Sequence, residues 1–220
     1  MDDAPSPPVL WRGDGADQVG IARRARRRTL AGHHVRVHGL GPVGVAAAEA
    51  AARGGADAVS LAGSREAPAA PVARLLARIA PGTRIHLDTA RRVDGSIVAA
   101  YGSVAPALAH RLLLDGPHVA ALADESGVSI LPVRAGAGAC LRCHALLRTD
   151  RDPAWPVLAR QCEALTEQAD PLTATVAGGL AVASLAALLE NRPARPWRIE
   201  HGLPRRTAVP PHPACGCGAA

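Results

Sequence analysis

Two close pairs of cysteines stand far apart in the chain, Cys140-Leu-Arg-Cys143 and Cys215-Gly-Cys217. A short knuckle presents two thiolates from one turn, and two knuckles supply the four sulfurs of a tetrahedral zinc site. Gly216 suits the tight second turn. In a reducing compartment zinc is expected ahead of a disulfide, and an iron–sulfur cluster is the other metal reading. With four protein ligands the site is closed and structural, and it would tie the C-terminal tail back to the end of the last strand. His144 and His212 stand beside the pairs as substitute ligands or as supporting neighbours. Cys162 lies apart in a helical stretch, 157–165, and reads as a small buried hydrophobe.

The second chemical feature is Gly39-Leu40-Gly41-Pro42-Val43-Gly44, a full G-x-G-x-x-G between an alternating run and an Ala-rich run. Gly39 allows the tight turn, Gly41 lets a phosphate approach the backbone, and Gly44 lets helix and strand pack closely. The helix N-terminus would face the anion. Pro42 suits the first helical turn, but it removes one N–H from the cradle. A dinucleotide-type site also wants an acidic residue at the end of the second strand. That strand ends Leu61-Ala62-Gly63-Ser64-Arg65, with Glu66 several residues late. The turn therefore fits either a nucleotide site or a strand–helix junction kept for packing.

The side chains that must position these features are unusual. All 25 basic residues are Arg, which excludes a Schiff-base mechanism and the phosphate-binding Lys of a P-loop. There is no Phe, and Trp11, Trp155, Trp197 and Tyr101 are the only aromatics, so the core must be Ala, Val and Leu. At 220 residues, 48% hydrophobic and 20% charged, the chain can bury a real core and is not a disordered sequence. The net charge of +6 and the cluster Arg23, Arg24, Arg26, Arg27 and Arg28 invite a nucleic-acid reading. The scarcity of stacking aromatics argues against it, and a solvated arm is expected instead. The acidic, Pro-rich start has no apolar signal region, and the longest apolar run, 174–189, is too short for a bilayer span. A cytoplasmic protein without a membrane partner is expected.

The hydrophobic pattern divides the chain into three parts. Residues 1–32 read as a flexible N-terminal segment, with Val9-Leu10-Trp11 as a short strand. Residues 33–145 read as a Rossmann-like α/β domain with a parallel sheet and helices on both faces. Its strands are expected at 34–38, 58–62, 84–88, 97–101, 111–115 and 129–133, and its helices at 42–53 and 72–79. Residues 146–220 read as a helical part and a Pro/Arg-rich tail that closes the cysteine site. Asp170 is the N-cap and Pro171 the first residue of its main helix.

The glycine turn, Asp115 in LLLDG and the split cysteine pairs together resemble the ThiF/MoeB/HesA family, relatives of ubiquitin-activating enzymes, over about residues 33–217. The stretches ACLRCHALLRTDRDPAWP, HPACGC and VLWRGDGADQVG are similar to an actinobacterial branch related to partner proteins of azoline-forming peptide cyclodehydratases. The resemblance implies ATP-dependent adenylation of a carboxylate, usually the C-terminus of a small carrier protein. It assigns Gly39, Gly41 and Gly44 to the nucleotide loop, Asp115 to magnesium, and Cys140, Cys143, Cys215 and Cys217 to zinc. It also implies a homodimer. The chain departs from the pattern in lacking the strand-two Asp and any Lys. Arg is no simple replacement, since it binds as a planar fork where Lys is a point charge. The expectation is a degenerate member that binds a peptide or a partner modification enzyme. Active adenylation with ATP and magnesium is the first alternative, and an NAD(P)-binding oxidoreductase, resting on the glycine turn alone, is the second.

Overall fold

Alternation at His34–His38 (β1) sends Val35 and Val37 into the core and Arg36 to the opposite face, which makes this run a strand. The computed structural model describes residues 29–87 and 91–217. The expected strand at 9–11 and the Arg23–Arg28 cluster lie outside that range. The other strands are β2 (Ala58–Ala62), β3 (Arg84–His86), β4 (Gly95–Tyr101), β5 (His118–Asp124), β6 (Gly127–Val133), β7 (Trp197–Glu200) and β8 (Leu203–Arg206). They form one eight-stranded sheet in the order β3-β2-β1-β4-β5-β6-β7-β8. Strands β1 to β5 are mutually parallel, and β6, β7 and β8 extend the sheet by antiparallel pairing.

The helices are α1 (Pro42–Arg53), α2 (Ala69–Ile79), α3 (Pro106–Asp115), α4 (Leu141–Arg151), α5 (Trp155–Cys162) and α6 (Pro171–Leu189). Helices α1, α2 and α6 bury their apolar faces in one core with Val35, Val37, Ile97 and Val119. On the other side of the sheet, α3 and α4 form a second core with Val98, Ala120 and Leu122. The Phe-free composition works because backbones approach closely: a Cβ on Gly178 of α6 would come within 2.6 Å of the Ala46–Ala47 backbone of α1. Asp170 caps α6 through the N–H groups of Leu172 (3.1 Å) and Thr173 (3.0 Å), with Pro171 behind it. Among the described residues α6 is the one helix long and apolar enough to cross a membrane, and most of it is buried against the sheet and α1.

Three expectations need correction. The sheet is mixed, not purely parallel, because β6 to β8 run antiparallel to their neighbours. Arg111–Asp115 is the last part of helix α3, not a strand; Pro106 opens the helix and only Leu112 of its leucines is fully buried. The strand that belongs there is β5, immediately downstream. Finally, the C-terminal tail is not all irregular, since Trp197–Arg206 forms the β7–β8 hairpin. Its loop residues His201 (φ 50°) and Gly202 (φ 74°) take the left-handed values of a type I′ turn.

Arg198 fixes this hairpin to the sheet. Its guanidinium is buried and donates to Asp124 at 2.6 and 2.8 Å, to Glu200 at 3.1 Å and to Ser129 at 3.1 Å. Burial pushes the Asp124 carboxyl up, but the bonds from Arg198 and Ser126 outweigh it and the carboxyl ends below its ordinary value. Its stabilisation is therefore present above the unfolded carboxylate range and lost as pH falls through the folded value. Asp124→Asn should cost about 1–3 kcal/mol at neutral pH, because the Asp124 side chain is partly solvated and the Arg198 charge is not. Urea unfolding from pH 7 to pH 3 should show that the variant has lost part of the acid-side slope.

Candidate functional site

In the described structure the four cysteine sulfurs come together as the spacing requires. All four Sγ atoms lie within 4.8 Å of one another. Cys140 Sγ is 3.8 Å from Cys143 Sγ and 3.6 Å from Cys215 Sγ, and Cys143 Sγ is 3.6 Å from Cys217 Sγ. A tetrahedron of sulfurs around zinc at a 2.3 Å bond length has an edge of about 3.8 Å. None of the cysteines is in a disulfide. Cys140 stands at the N-cap position of α4 and Cys143 lies in its first turn, where the helix dipole favours thiolates. Burial pushes the Cys215 thiol up to about 12, so a cation at the centre is what would let the sulfurs shed their protons. These residues could hold a metal ion.

His212 is a strut for this centre rather than one of its ligands. Its Nδ1 accepts from the Ala214 N–H at 3.0 Å, which leaves Nε2–H to donate to Asp150 of α4 at 2.8 Å. The Cys215 N–H in turn donates to the His212 carbonyl at 2.9 Å. The tail is thereby anchored to α4 at a second point. His144 stays outside the sulfur cluster, with its N–H donating to the Cys140 carbonyl at 3.1 Å.

The glycine turn takes the expected shape but has an unexpected occupant. Gly39 has φ +75°, and a Cβ there would collide with the Ala99 carbonyl of β4. A Cβ on Gly44 would collide with the Gly39 carbonyl, so both glycines are required by close packing. Gly41 differs. A Cβ there would lie 2.6 Å from both the carbonyl and Oε1 of Glu167, 126 positions further along the chain. Glu167 Oε1 accepts from the N–H groups of Val43 and Gly44, each at 3.1 Å. Pro42 has no N–H, and the Val45 N–H donates to the Gly41 carbonyl at 2.9 Å. Every backbone donor of residues 42–45 is therefore absent or used within the chain, and the close approach that Gly41 permits is made by a carboxylate.

Glu167 is 1% exposed, its Oε2 has no partner among the described residues, and burial pushes its carboxyl above the ordinary value despite the two N–H bonds. It belongs to a strap, 163–169, that crosses the carboxyl ends of the strands where β1 and β4 lie side by side. This is the switch point of the sheet, since β1 leads to α1 on one face and β4 to α3 on the other. Thr166 donates to Glu66 at 3.3 Å across the same crevice. An open hollow of about 480 Å³ beside it is lined by Glu66, Tyr101, Thr166 and Gln168.

The other expected charges are not there. β2 ends at Ala62 and is followed by Gly63 and Ser64, whose hydroxyl accepts from the Ala67 N–H at 3.0 Å. β4 ends at Tyr101 and is followed by Gly102 and Ser103. Asp115, expected at the end of a central strand, closes helix α3 two residues before β5. It therefore lies at the N-terminal edge of the parallel strands, whereas the glycine turn follows a C-terminal end, and the strand-end position that assigned it to magnesium does not exist. Glu167 escaped the sequence reading because its partners are remote in sequence and no local motif marks it.

The arrangement can now be set beside known structures. The fold resembles that of MccB. MccB in complex with N-formylated MccA superposes with a TM-score of 0.64 at 12% identity, over 90% of this chain and 71% of that one. E. coli MccB with MccA gives 0.62 at 13% identity, over 94% and 71%. PaaA gives 0.56 at 9% identity, over 92% and 87%. At these identities MccB and PaaA share an architecture with this chain, and their activities stay their own. Neither a protein-family model nor a curated protein matches the sequence.

Proposed function

We propose that this chain is a degenerate adenylyltransferase-fold protein of the ThiF type, which serves a modification pathway by binding a peptide or a partner enzyme. The observation that carries the reading is Glu167: a carboxylate of the chain itself takes the α1 N-terminal donors that a nucleotide phosphate would need. Two absences support it. The chain has no Lys, and β2 ends without a carboxylate. Phosphoryl and adenylyl chemistry depends on positioned charge, so these losses bear directly on catalysis. The peptide partner is suggested by MccB, which has been crystallised with MccA. In this reading Cys140, Cys143, Cys215 and Cys217 hold one structural Zn²⁺, which fastens the tail to α4 and takes no part in chemistry.

The alternative is ATP-dependent adenylation, favoured by the structure of MccB with ATP, which has the same fold. Melting with ATP and magnesium separates the two. A nucleotide at a hundred times its Kd would add about 2.7 kcal/mol, roughly 5–10 °C in a chain of this size. The expected shift is none, together with no ATP–pyrophosphate exchange. A shift of several degrees with exchange would establish the alternative.

A further inference from the structure

Helices α3 and α4 lie on the same face of the sheet and run antiparallel, since α3 descends from the end of β4 while α4 rises from the end of β6. They meet over only part of their length. Between them is a trough of about 780 Å³ that runs from the cysteine centre to α5. Its walls are mostly apolar, with Leu113 on α3, Leu146 on α4 and Trp155 at the far end. The chain has no Phe that could fill the gap. A space of this size and character is what a ligand site offers.

Two arginines dominate the charge of the rim. Arg142 and Arg160 line the trough and are exposed, and among the described residues neither has a carboxylate partner. Among the described residues Glu163 is the single acidic residue on the lining. The chain as a whole is basic, at +6. An occupant that satisfies both walls and rim places bulky apolar side chains inside and carboxylates outside. We propose that the trough between α3 and α4 binds an acidic, amphipathic peptide segment, with its apolar side chains against Leu113, Leu146 and Trp155 and its carboxylates on Arg142 and Arg160. The assignment rests on the partner-binding reading above and gives that partner a place and a chemistry. The trough lies on the opposite side of the sheet from α1 and its glycine turn.

The test is selection of random peptides of about a dozen residues, displayed on phage, against the immobilised full chain. Ala109→Trp on α3 fills the trough, and the double variant R142E/R160E reverses the rim at exposed positions. The expected result is an enriched set rich in Asp, Glu and bulky apolar residues. Synthetic copies should bind the rim variant about tenfold more weakly, with a flatter salt dependence. Ala109→Trp should abolish binding, and if it fails to fold the rim variant still decides. Peptides that bind all variants equally would overturn the trough while leaving a partner-binding protein. Failure to enrich any peptide, or enrichment of basic ones, would also overturn it. Pyrophosphate exchange, measured on the same preparation, would overturn the underlying reading whatever the selection returns.

Discussion

Cys215→Ser should abolish zinc binding and unfasten the C-terminal tail, the largest loss of stability expected for a single substitution in this chain. The wild type should carry close to one zinc per chain by elemental analysis, and the variant close to none. Three thiolates and a hydroxyl make a poor zinc site, because affinity comes from the soft anionic sulfur. Structural zinc supplies about 10–16 kcal/mol of apparent binding free energy in small zinc-dependent domains. Here a large core exists without it, so the loss should fall on the tail and α4 and lower the Tm by ten degrees or more, at roughly 2–4 °C per kcal/mol. Hydrogen exchange would localise the effect, with the backbone around Cys140–Cys143 and His212–Cys217 losing protection while β1 to β5 keep theirs. Chelation of the wild type should produce the same pattern. A wild type that is fully folded and free of metal would refute the zinc assignment.

What could be read from the sequence follows how local each feature is. The Cys140/Cys143 and Cys215/Cys217 knuckles, the glycine turn and the Asp170-Pro171 start of α6 are set by neighbours within a few residues, and the structure places them as read. The failures arose where two local patterns compete. Leu112-Leu113-Leu114 fits a buried strand as well as a helix face, since a short apolar run has no decisive period. Only the packing shows that Leu112 is buried while Leu114 is 73% exposed. The β7–β8 hairpin was hidden by its Arg and Pro residues. β8 is exposed throughout, so no alternation of burial marks it. Its signal was the His201-Gly202 turn, where a non-Gly residue takes positive φ. Glu167 was out of reach for a different reason: the meaning of a carboxylate depends on which donors it finds, and those lie on α1.

That contact also bears on the absence of Lys and of a carboxylate at the end of β2. A site that had merely lost ligands would keep an open cradle at α1, able to take another anion. Here the cradle is filled, and Gly41, the residue that would admit a phosphate, admits Glu167 instead. The same three glycines therefore serve a closed junction. Their spacing alone could not distinguish that junction from a nucleotide site, because both need the same close approach of backbone to an oxygen.

Glu167→Ala should expose the difference. Removing the carboxylate leaves the Val43 and Gly44 N–H groups buried without an acceptor, at about 1–3 kcal/mol for each unpaired donor. The vacated space faces the positive end of α1, so inorganic phosphate should enter it and restore part of the loss, while the wild type should gain nothing beyond the general effect of salt. Melting at matched ionic strength in phosphate and in chloride reads both quantities. The pH dependence supplies a second, independent readout. Burial holds the Glu167 carboxyl above its ordinary value. The folded protein therefore keeps that proton where the unfolded chain has released it, and stability declines as pH rises from the unfolded value through the folded one. The alanine variant should lose that decline as well as the N–H bonds. Equal stability of the two proteins, or phosphate stabilising the wild type as much as the variant, would mean that Glu167 does not occupy the cradle in solution. The nucleotide reading would then regain its strongest structural support, since Val43 and Gly44 would again be free donors at the end of α1.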